Sequence, residues 1–414
     1  MQEQELRELA KDFLVPLFSG AEVAPASKAS SPRQKCVARD GLSSILFKVD
    51  RDDRFRLSLR RKQPFDEVST GRLTEHTVVQ AFVDVLREIA PGLNAPYRHD
   101  LLASFTRRIV ARAIAPTNSE TVVLGALDQL SAWSTRLYEG KPIAGAFGFE
   151  TNHAGTGGRL VEFCSKDFAA LLSNGHDTIV VFDLTGQLVG HESVANPPAV
   201  SRYAPFRYAG MASWAVNGRV ALVLNRLGEI LVFLDGQLVF SRRSSQWHLL
   251  THEPVLTQMG GADNHGVRLA VYESALDASF ARSGACIGIV TSGHATHWKR
   301  VVKSKDDHML PPTSVKAIAL SAMVKNRKFQ ELDRRFRQEI LAIDGSTLLS
   351  HQGDILAVGA ILKISGGSSS GARLAAAKAL AKYGVGIKVS QDGGILGFRG
   401  ESRDPVFRVM CNPD

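Results

Sequence analysis

The last third of the chain interleaves short apolar runs with amphipathic stretches, and that alternation admits few folds. From Ala285 the run ACIGIVTS predicts a strand, followed by a basic loop, a helix over residues 313–323 and a second around 329–337. A strand is expected at 340–343, then Asp344-Gly345, then another strand. A Gly/Ser-rich loop leads into a helix over 373–383, a strand over 385–390, a turn, and a last strand ending near Phe398. Helices and strands in this order specify an α/β (α+β) domain, residues 266–414, whose mixed sheet is flanked by helices.

Two regions precede it. Residues 1–142 read as helical or mixed. Leu6, Leu9, Phe13 and Leu14 recur at helical spacing up to Pro16, and the small-residue stretch AEVAPASKASSPRQK reads as a linker or loop. CVARDGLSSILFKVD and RFRLSLRRK suggest two strands. Residues 74–90 carry an amphipathic pattern with Thr74 as N-cap, and helices are expected over 99–113 and 119–138. Residues 143–265 read as mainly β, in short runs such as TIVVFD. In ILVFLDGQLVF, Asp235-Gly236 has the form of a two-residue hairpin turn.

Composition narrows the function classes. Across 414 residues, 44% hydrophobic and 22% charged is the balance of a soluble globular chain. No apolar run approaches the ~20 residues that span a bilayer, and the first residues lack a basic segment followed by an apolar one. Cys36, Cys164, Cys286 and Cys411 lie far apart, without a CxxC pair, so a reducing cytoplasm is expected. A net charge of +9 favours anionic partners such as nucleotides, nucleic acid or acidic surfaces. The basic clusters Arg54-Phe55-Arg56 with Arg60-Arg61-Lys62, and Arg334-Arg335-Phe336-Arg337, read as solvated faces. With 7% aromatic residues, base-stacking platforms are sparse, and sequence-specific nucleic-acid binding is not indicated.

The constellation that carries chemistry lies in the third region. From Gly366 to Gly371 the chain is Gly-Gly-Ser-Ser-Ser-Gly, between a strand and a helix. Such a loop, containing Gly367, Ser368, Ser369 and Ser370, lets backbone N–H groups approach phosphate oxygens, and the helix N-terminus adds partial positive charge. Arg373 falls in the first helical turn, where the helix dipole disfavours a cation; a bound anion removes that conflict. An ordinary loop with an exposed arginine is the alternative. Asp344-Gly345 by itself reads as a hairpin turn, since Asp-Gly also occurs at Asp40, Asp235 and Asp392.

The order of these elements resembles the bacterial diadenylate cyclase domain. That family carries a D-G-A motif and, about 30 residues later, G-T-R-H-R-A-A. Asp344-Gly345-Ser346 stands for the first and Gly371-Ala372-Arg373-Leu374-Ala375-Ala376-Ala377 for the second. Val389-Ser390-Gln391-Asp392-Gly393-Gly394-Ile395 resembles the family's V-S-E-E-x-G-x-I, and Arg282-Ser283-Gly284-Ala285 its R-x-G-A. Residues before about 265 resemble the sensor regions, of the DACNV type, attached to divergent members.

The resemblance covers about a third of the chain and implies condensation of two ATP molecules to cyclic di-AMP and pyrophosphate, with Mg²⁺ or Mn²⁺ as cofactor. It also implies a homo-oligomer with face-to-face cyclase domains. Asp344 would bind the metal or help deprotonate the ribose hydroxyl, and Gly345 would let the backbone approach the nucleotide. Ser346, residues 367–372, Arg373 and Asp392 would hold the nucleotide. The motif departs from the family's: Leu374 and Ala375 replace a histidine and an arginine, Ala372 a threonine, and Gln391-Asp392 an acidic pair. An inactive cyclase-like domain that senses a nucleotide or second messenger is therefore the alternative function.

Other candidates are fewer. Residues 152–160, NHAGTGGRL, form a second glycine-rich loop whose layout echoes 366–392; a duplicated, degenerate nucleotide fold and an ordinary loop are the two readings. His294 and His297 have a metal-pair spacing without a third ligand nearby, and read as surface histidines. His176 and His191 flank TIVVFD with no partner in view, and no Ser-His-Asp order can be singled out.

Overall fold

The computed structural model describes residues 2–26, 35–50, 55–66, 73–116, 118–151, 153–195, 203–260, 264–364 and 371–411. They form an α+β protein with mixed sheets and divide into two compact units, one ending at Thr251 and the other spanning His252–Cys411. The expected boundary at residue 142 falls inside the first unit.

The first unit opens with helix α1 (Glu3–Leu9), which continues through a π turn and a 3₁₀ turn to Leu17. Strands β1 (Glu22–Pro25), β2 (Val37–Arg39), β3 (Ser44–Phe47) and β4 (Leu57–Arg60) make a small antiparallel sheet in the order β1-β4-β3-β2. The stretch expected to be a linker thus begins as a strand: Glu22–Pro25 pairs in full with Leu57–Arg60. Its small residues give no apolar alternation, so pairing rather than pattern makes it β. Helix α2 (Glu75–Ile89) starts at Thr74, whose Oγ1 accepts from the Thr77 N–H at 3.0 Å while Thr77 Oγ1 accepts from the Thr74 N–H at 2.9 Å. Helices α3 (Arg98–Ala103), α4 (Phe105–Ile114) and α5 (Glu120–Trp133) follow. A hydrophobic core running from Leu6 to Leu249 joins them to the sheet that comes next.

After two short paired strands, β5 (Leu137–Tyr138) and β6 (Lys141–Pro142), the larger sheet begins with β7 (Gly145–Glu150). It continues through helix α6 (Leu160–Cys164), β8 (Thr178–Asp183), β9 (Leu188–Ser193) and helix α7 (Ala209–Trp214). Then come β10 (Val220–Leu224), β11 (Ile230–Leu234), β12 (Gln237–Arg243) and β13 (Gln246–Leu249). The order is β13-β12-β11-β10-β7-β8-β9, with β7 and β8 parallel and the other neighbours antiparallel. Asp235 (φ 51°) and Gly236 (φ 75°) join β11 to β12 as a two-residue turn with both centres left-handed.

The second unit starts with helices α8 (Glu253–Gln258) and α9 (His265–Ala281), then β14 (Ala285–Val290), α10 (Val315–Val324) and α11 (Arg334–Ala342). Strands β15 (Ser346–Ser350) and β16 (Ile355–Ala360), helix α12 (Ala372–Ala381), β17 (Gly384–Val389), β18 (Ile395–Arg399) and β19 (Phe407–Val409) complete it. The sheet order is β16-β15-β14-β17-β18-β19, and only β14 and β15 are parallel among its described pairs.

The apolar residues 340–342 are the last turn of α11 and Ile343 is its extended C-cap, with Ile340 and Leu341 continuing the buried side that Arg334 and Arg337 begin. A short apolar run carries no period of its own, so it could not be told from a strand. The basic clusters are solvated only in part: Arg60, Lys62 and Arg335 are exposed, whereas Arg56, Arg61, Arg334 and Arg337 are buried. Arg334 is buried and grips Asp277 of α9 through two hydrogen bonds of 2.7 and 3.0 Å, and Arg337 binds Glu273 at 2.8 Å. Arg61 is buried against Glu75; Arg54 lies outside the described residues. Removing one partner of such a pair leaves an uncompensated buried charge, at a cost of ~3–5 kcal/mol. Among the described residues no helix is long and apolar enough to cross a membrane.

Candidate functional site

Three connections of the second unit meet at one end of its sheet. The first is Ile343-Asp344-Gly345, between α11 and β15. It is a helix-to-strand link rather than the hairpin that Asp-Gly alone suggests; the hairpin lies at the other end of β15, where Gly353 N–H donates to Ser350 O at 3.0 Å. Gly345 has φ 113°, and a Cβ there would stand 2.4 Å from the carbonyl carbon of Gly359. Gly359 is itself left-handed (φ 60°) and equally crowded, by Ile343 and the Asp344 carbonyl. Two backbones therefore touch where side chains cannot fit, and this contact holds the exposed Asp344 at the sheet end.

The second connection opens α12. Gly371 (φ 91°) precedes the helix, no acidic residue occupies the first turn, and Arg373 does. The Arg373 guanidinium lies against Gly284, where a Cβ would meet its Nη1 at 2.8 Å. The third is the β17–β18 turn, closed by Gly393 N–H donating to Ser390 O at 3.0 Å and Ser390 N–H to Gly394 O at 2.9 Å. It presents Gln391 and Asp392, with Lys388 on the strand before it.

Between these connections lies a cleft of about 520 Å³ lined by Asp344, Gly371, Ala372, Arg373, Leu374, Lys388, Ser390, Gln391 and Asp392. Of the residues expected from the sequence, Asp344, Gly371, Ala372, Arg373 and Asp392 are brought together there. Gly345 is spent on the backbone contact with Gly359. Ser346 is buried on β15, hydrogen-bonded to Cys286. Gly367, Ser368, Ser369 and Ser370 lie outside the described residues. Burial pushes the Cys286 thiol up to about 11, against the opposing pull of the Ser346 hydrogen bond and the Arg373 charge.

Lys388 was missed by the sequence reading, although a signal existed: it is the charged member of the otherwise apolar run Gly384–Val389. With Arg373 it puts two cations on the lining of a cleft that two carboxylates, Asp344 and Asp392, also line. That mixture suits an anion carried together with a cation. No group of three or more His, Cys, Asp or Glu side chains able to hold a metal ion occurs among the described residues. One or two carboxylates completed by phosphate oxygens and water is nonetheless the usual Mg²⁺ donor set, and Asp344 and Asp392 fit it.

The other candidates resolve into structure. Gly155 and Gly157 let the 153–159 stretch press on the turn between β8 and β9, where a Cβ at Gly155 would meet Gln187 O at 2.6 Å. Asp183 anchors this loop. Burial alone would raise its carboxyl, but hydrogen bonds from Gly155, Gln187 and Thr185 outweigh that and hold it below the ordinary carboxylate range. The loop follows β7, the first strand of its sheet, whereas 366–371 follows β16, so the two do not correspond as their composition suggested. His294 Nδ1 lies 3.1 Å from Thr291 Oγ1, and its ring packs edge-on against Tyr383 and His297.

No protein-family model matches the chain, and no curated protein matches it significantly. Among solved structures it is similar to a cysteine double mutant of DacA from Staphylococcus aureus, at 16% identity over 33% of this chain and 83% of that one, with a TM-score of 0.22. It is also similar to a hypothetical membrane-spanning protein from Bacillus cereus, at 15% identity over 32% of this chain and 59% of that one, with a TM-score of 0.22.

Proposed function

We propose that the cleft of the second unit binds a nucleoside triphosphate and that the protein is a divergent diadenylate cyclase. The observation that carries this reading is the convergence of Asp344 and Arg373, which come from separate motifs, on one cleft. Arg373, Lys388 and the N-terminus of α12 supply positive charge for phosphate oxygens. Asp344 and Asp392 would hold Mg²⁺ or Mn²⁺, which neutralises charge that builds up on the phosphates. In the reaction each 3′-hydroxyl oxygen bonds to the α-phosphorus of the other ATP. The α–β bridging bond breaks, pyrophosphate leaves with its electron pair, and the hydroxyl proton passes to a base, the role proposed for Asp344 where it does not bind the metal. Two ATP become one cyclic di-AMP and two pyrophosphates. The chain's part is positioning, since two reactants held in line gain most of their rate from lost entropy already met on binding. Residues 1–265 are proposed to act as the sensor region, and two chains to face each other in the active form.

A second reading is favoured by Leu374, an apolar side chain lining the cleft where the cyclase motif has a histidine. On that reading the cleft binds a nucleotide or second messenger without turnover. Incubation of the pure chain with ATP and Mn²⁺ or Mg²⁺, with chromatography of the products, separates the two. The cyclase reading expects cyclic di-AMP from wild type and at least a 100-fold loss in D344A. ATP binding without product, in wild type and D344A alike, supports the sensor.

A further inference from the structure

The two larger sheets share more than their class. In the first unit the order β9-β8-β7-β10-β11-β12 repeats the β16-β15-β14-β17-β18-β19 of the second, strand for strand and direction for direction. The registers agree as well. Laying Gly145 on Ala285 carries its partner Leu224 onto Val389, and Val220 paired with Leu234 onto Val385 paired with Arg399. Across the parallel pair, Glu150 with Asp183 falls on Val290 with Ser350, and Phe182 with Leu188 falls on Leu349 with Ile355.

The turns repeat too. Gly186 N–H donates to Asp183 O and Gly353 N–H to Ser350 O, while Gly228 N–H donates to Asn225 O and Gly393 N–H to Ser390 O, each at 3.0 Å. Gly148 and Gly288, at matching positions of β7 and β14, each make room for a helix side chain, Trp214 in one case and Leu380 in the other. That contact aligns the helical stretch beginning at Phe206 with α12 and puts Arg207 at the position of Arg373. Asp177, just before the paired part of β8, then stands where Asp344 stands.

We infer that residues 120–249 and 265–411 are two copies of one fold, and that only the second keeps an open cleft, the first being closed by Tyr208. Tyr208 occupies the position of Leu374. It is buried, packs on Phe233 and is hydrogen-bonded to Asn225, the counterpart of the cleft residue Ser390. The position of Gly284, which leaves room for the Arg373 guanidinium, is taken in the first copy by Ala144, and Arg207 is exposed. One chain therefore offers one nucleotide site. Condensation of two nucleotides, which rests on the function proposed above, then requires two chains.

Isothermal titration of the full chain with a non-hydrolysable ATP analogue and Mg²⁺ is expected to give one site per chain, lost in R373A and kept in R207A. Two sites per chain, or one site lost in R207A and kept in R373A, would overturn the closed first copy. If nothing binds, the nucleotide reading of the second copy fails, and the first copy is decided without nucleotide. Acetylation of the native chain with N-acetylimidazole, mapped by mass spectrometry, should modify the exposed Tyr97 and spare Tyr208. Tyr208 reacting as fast as Tyr97 would show that its side chain closes nothing.

Discussion

At the scale of single residues, the site depends on glycines as much as on charges. Gly345 and Gly359 let two backbones meet, and that contact fixes where Asp344 emerges. A methyl group at 345 must displace the Gly359 carbonyl, and it adds the strain of a left-handed backbone, of order 1–3 kcal/mol. G345A is therefore expected to lower the midpoint of thermal unfolding of the second unit and to reduce nucleotide binding together with it. An unchanged midpoint would mean that the contact at Gly359 is not held in solution. Asp344 and Arg373 were legible in the sequence because each sits in a motif with an ordered neighbourhood. Lys388 was not, because one lysine in an apolar run reads as a strand residue until the fold shows which face it takes. Leu374 was legible only as a departure; its position on the cleft wall came from the helix phase.

At the scale of elements, the signals that survived were local and chemical. Thr74 caps α2 as its side chain requires, and Asp235-Gly236 turns β11 into β12 because both residues tolerate positive φ. T74A removes one side of the reciprocal cap and is expected to cost about 1 kcal/mol, read as a lower urea midpoint at constant slope. T74S should recover most of it; no change in T74A would mean that Thr77 alone satisfies the helix end. The errors were of another kind. The run 340–343 and strand β1 are decided by tertiary partners, Asp277 and Glu273 on one hand and β4 on the other, which no local window contains. Asp277 and Glu273 also turned Arg334 and Arg337, two of the expected solvated arginines, into buried ion pairs.

At the scale of the whole molecule, the repeat was hidden because the two copies share little beyond turn glycines and strand order. The glycine-rich loop that hinted at duplication stands at a different point of the fold. The first unit carries a pH dependence of its own. His248 on β13 is buried near Arg243, and burial first, then that charge, lowers its pKa to about 4. In the unfolded chain it takes a proton near 6.5. Its neutral form thus contributes fully above pH 6.5, and the contribution is lost as pH falls from there towards 4, by roughly 3 kcal/mol. Thermal melts between pH 7 and 4 should show the first unit losing stability in wild type and losing less in H248N. Parallel curves would place the acid sensitivity elsewhere.

The claim on which the rest stands is that the cleft between Asp344, Arg373 and Lys388 holds a triphosphate. Equilibrium binding of ATP with Mg²⁺, at one fixed salt concentration, to wild type, R373A and K388A tests it most directly. Loss of one charge-assisted phosphate contact, ~1.5–3 kcal/mol, should weaken binding about 10- to 150-fold in each variant. ATP bound equally well by all three would contradict the account.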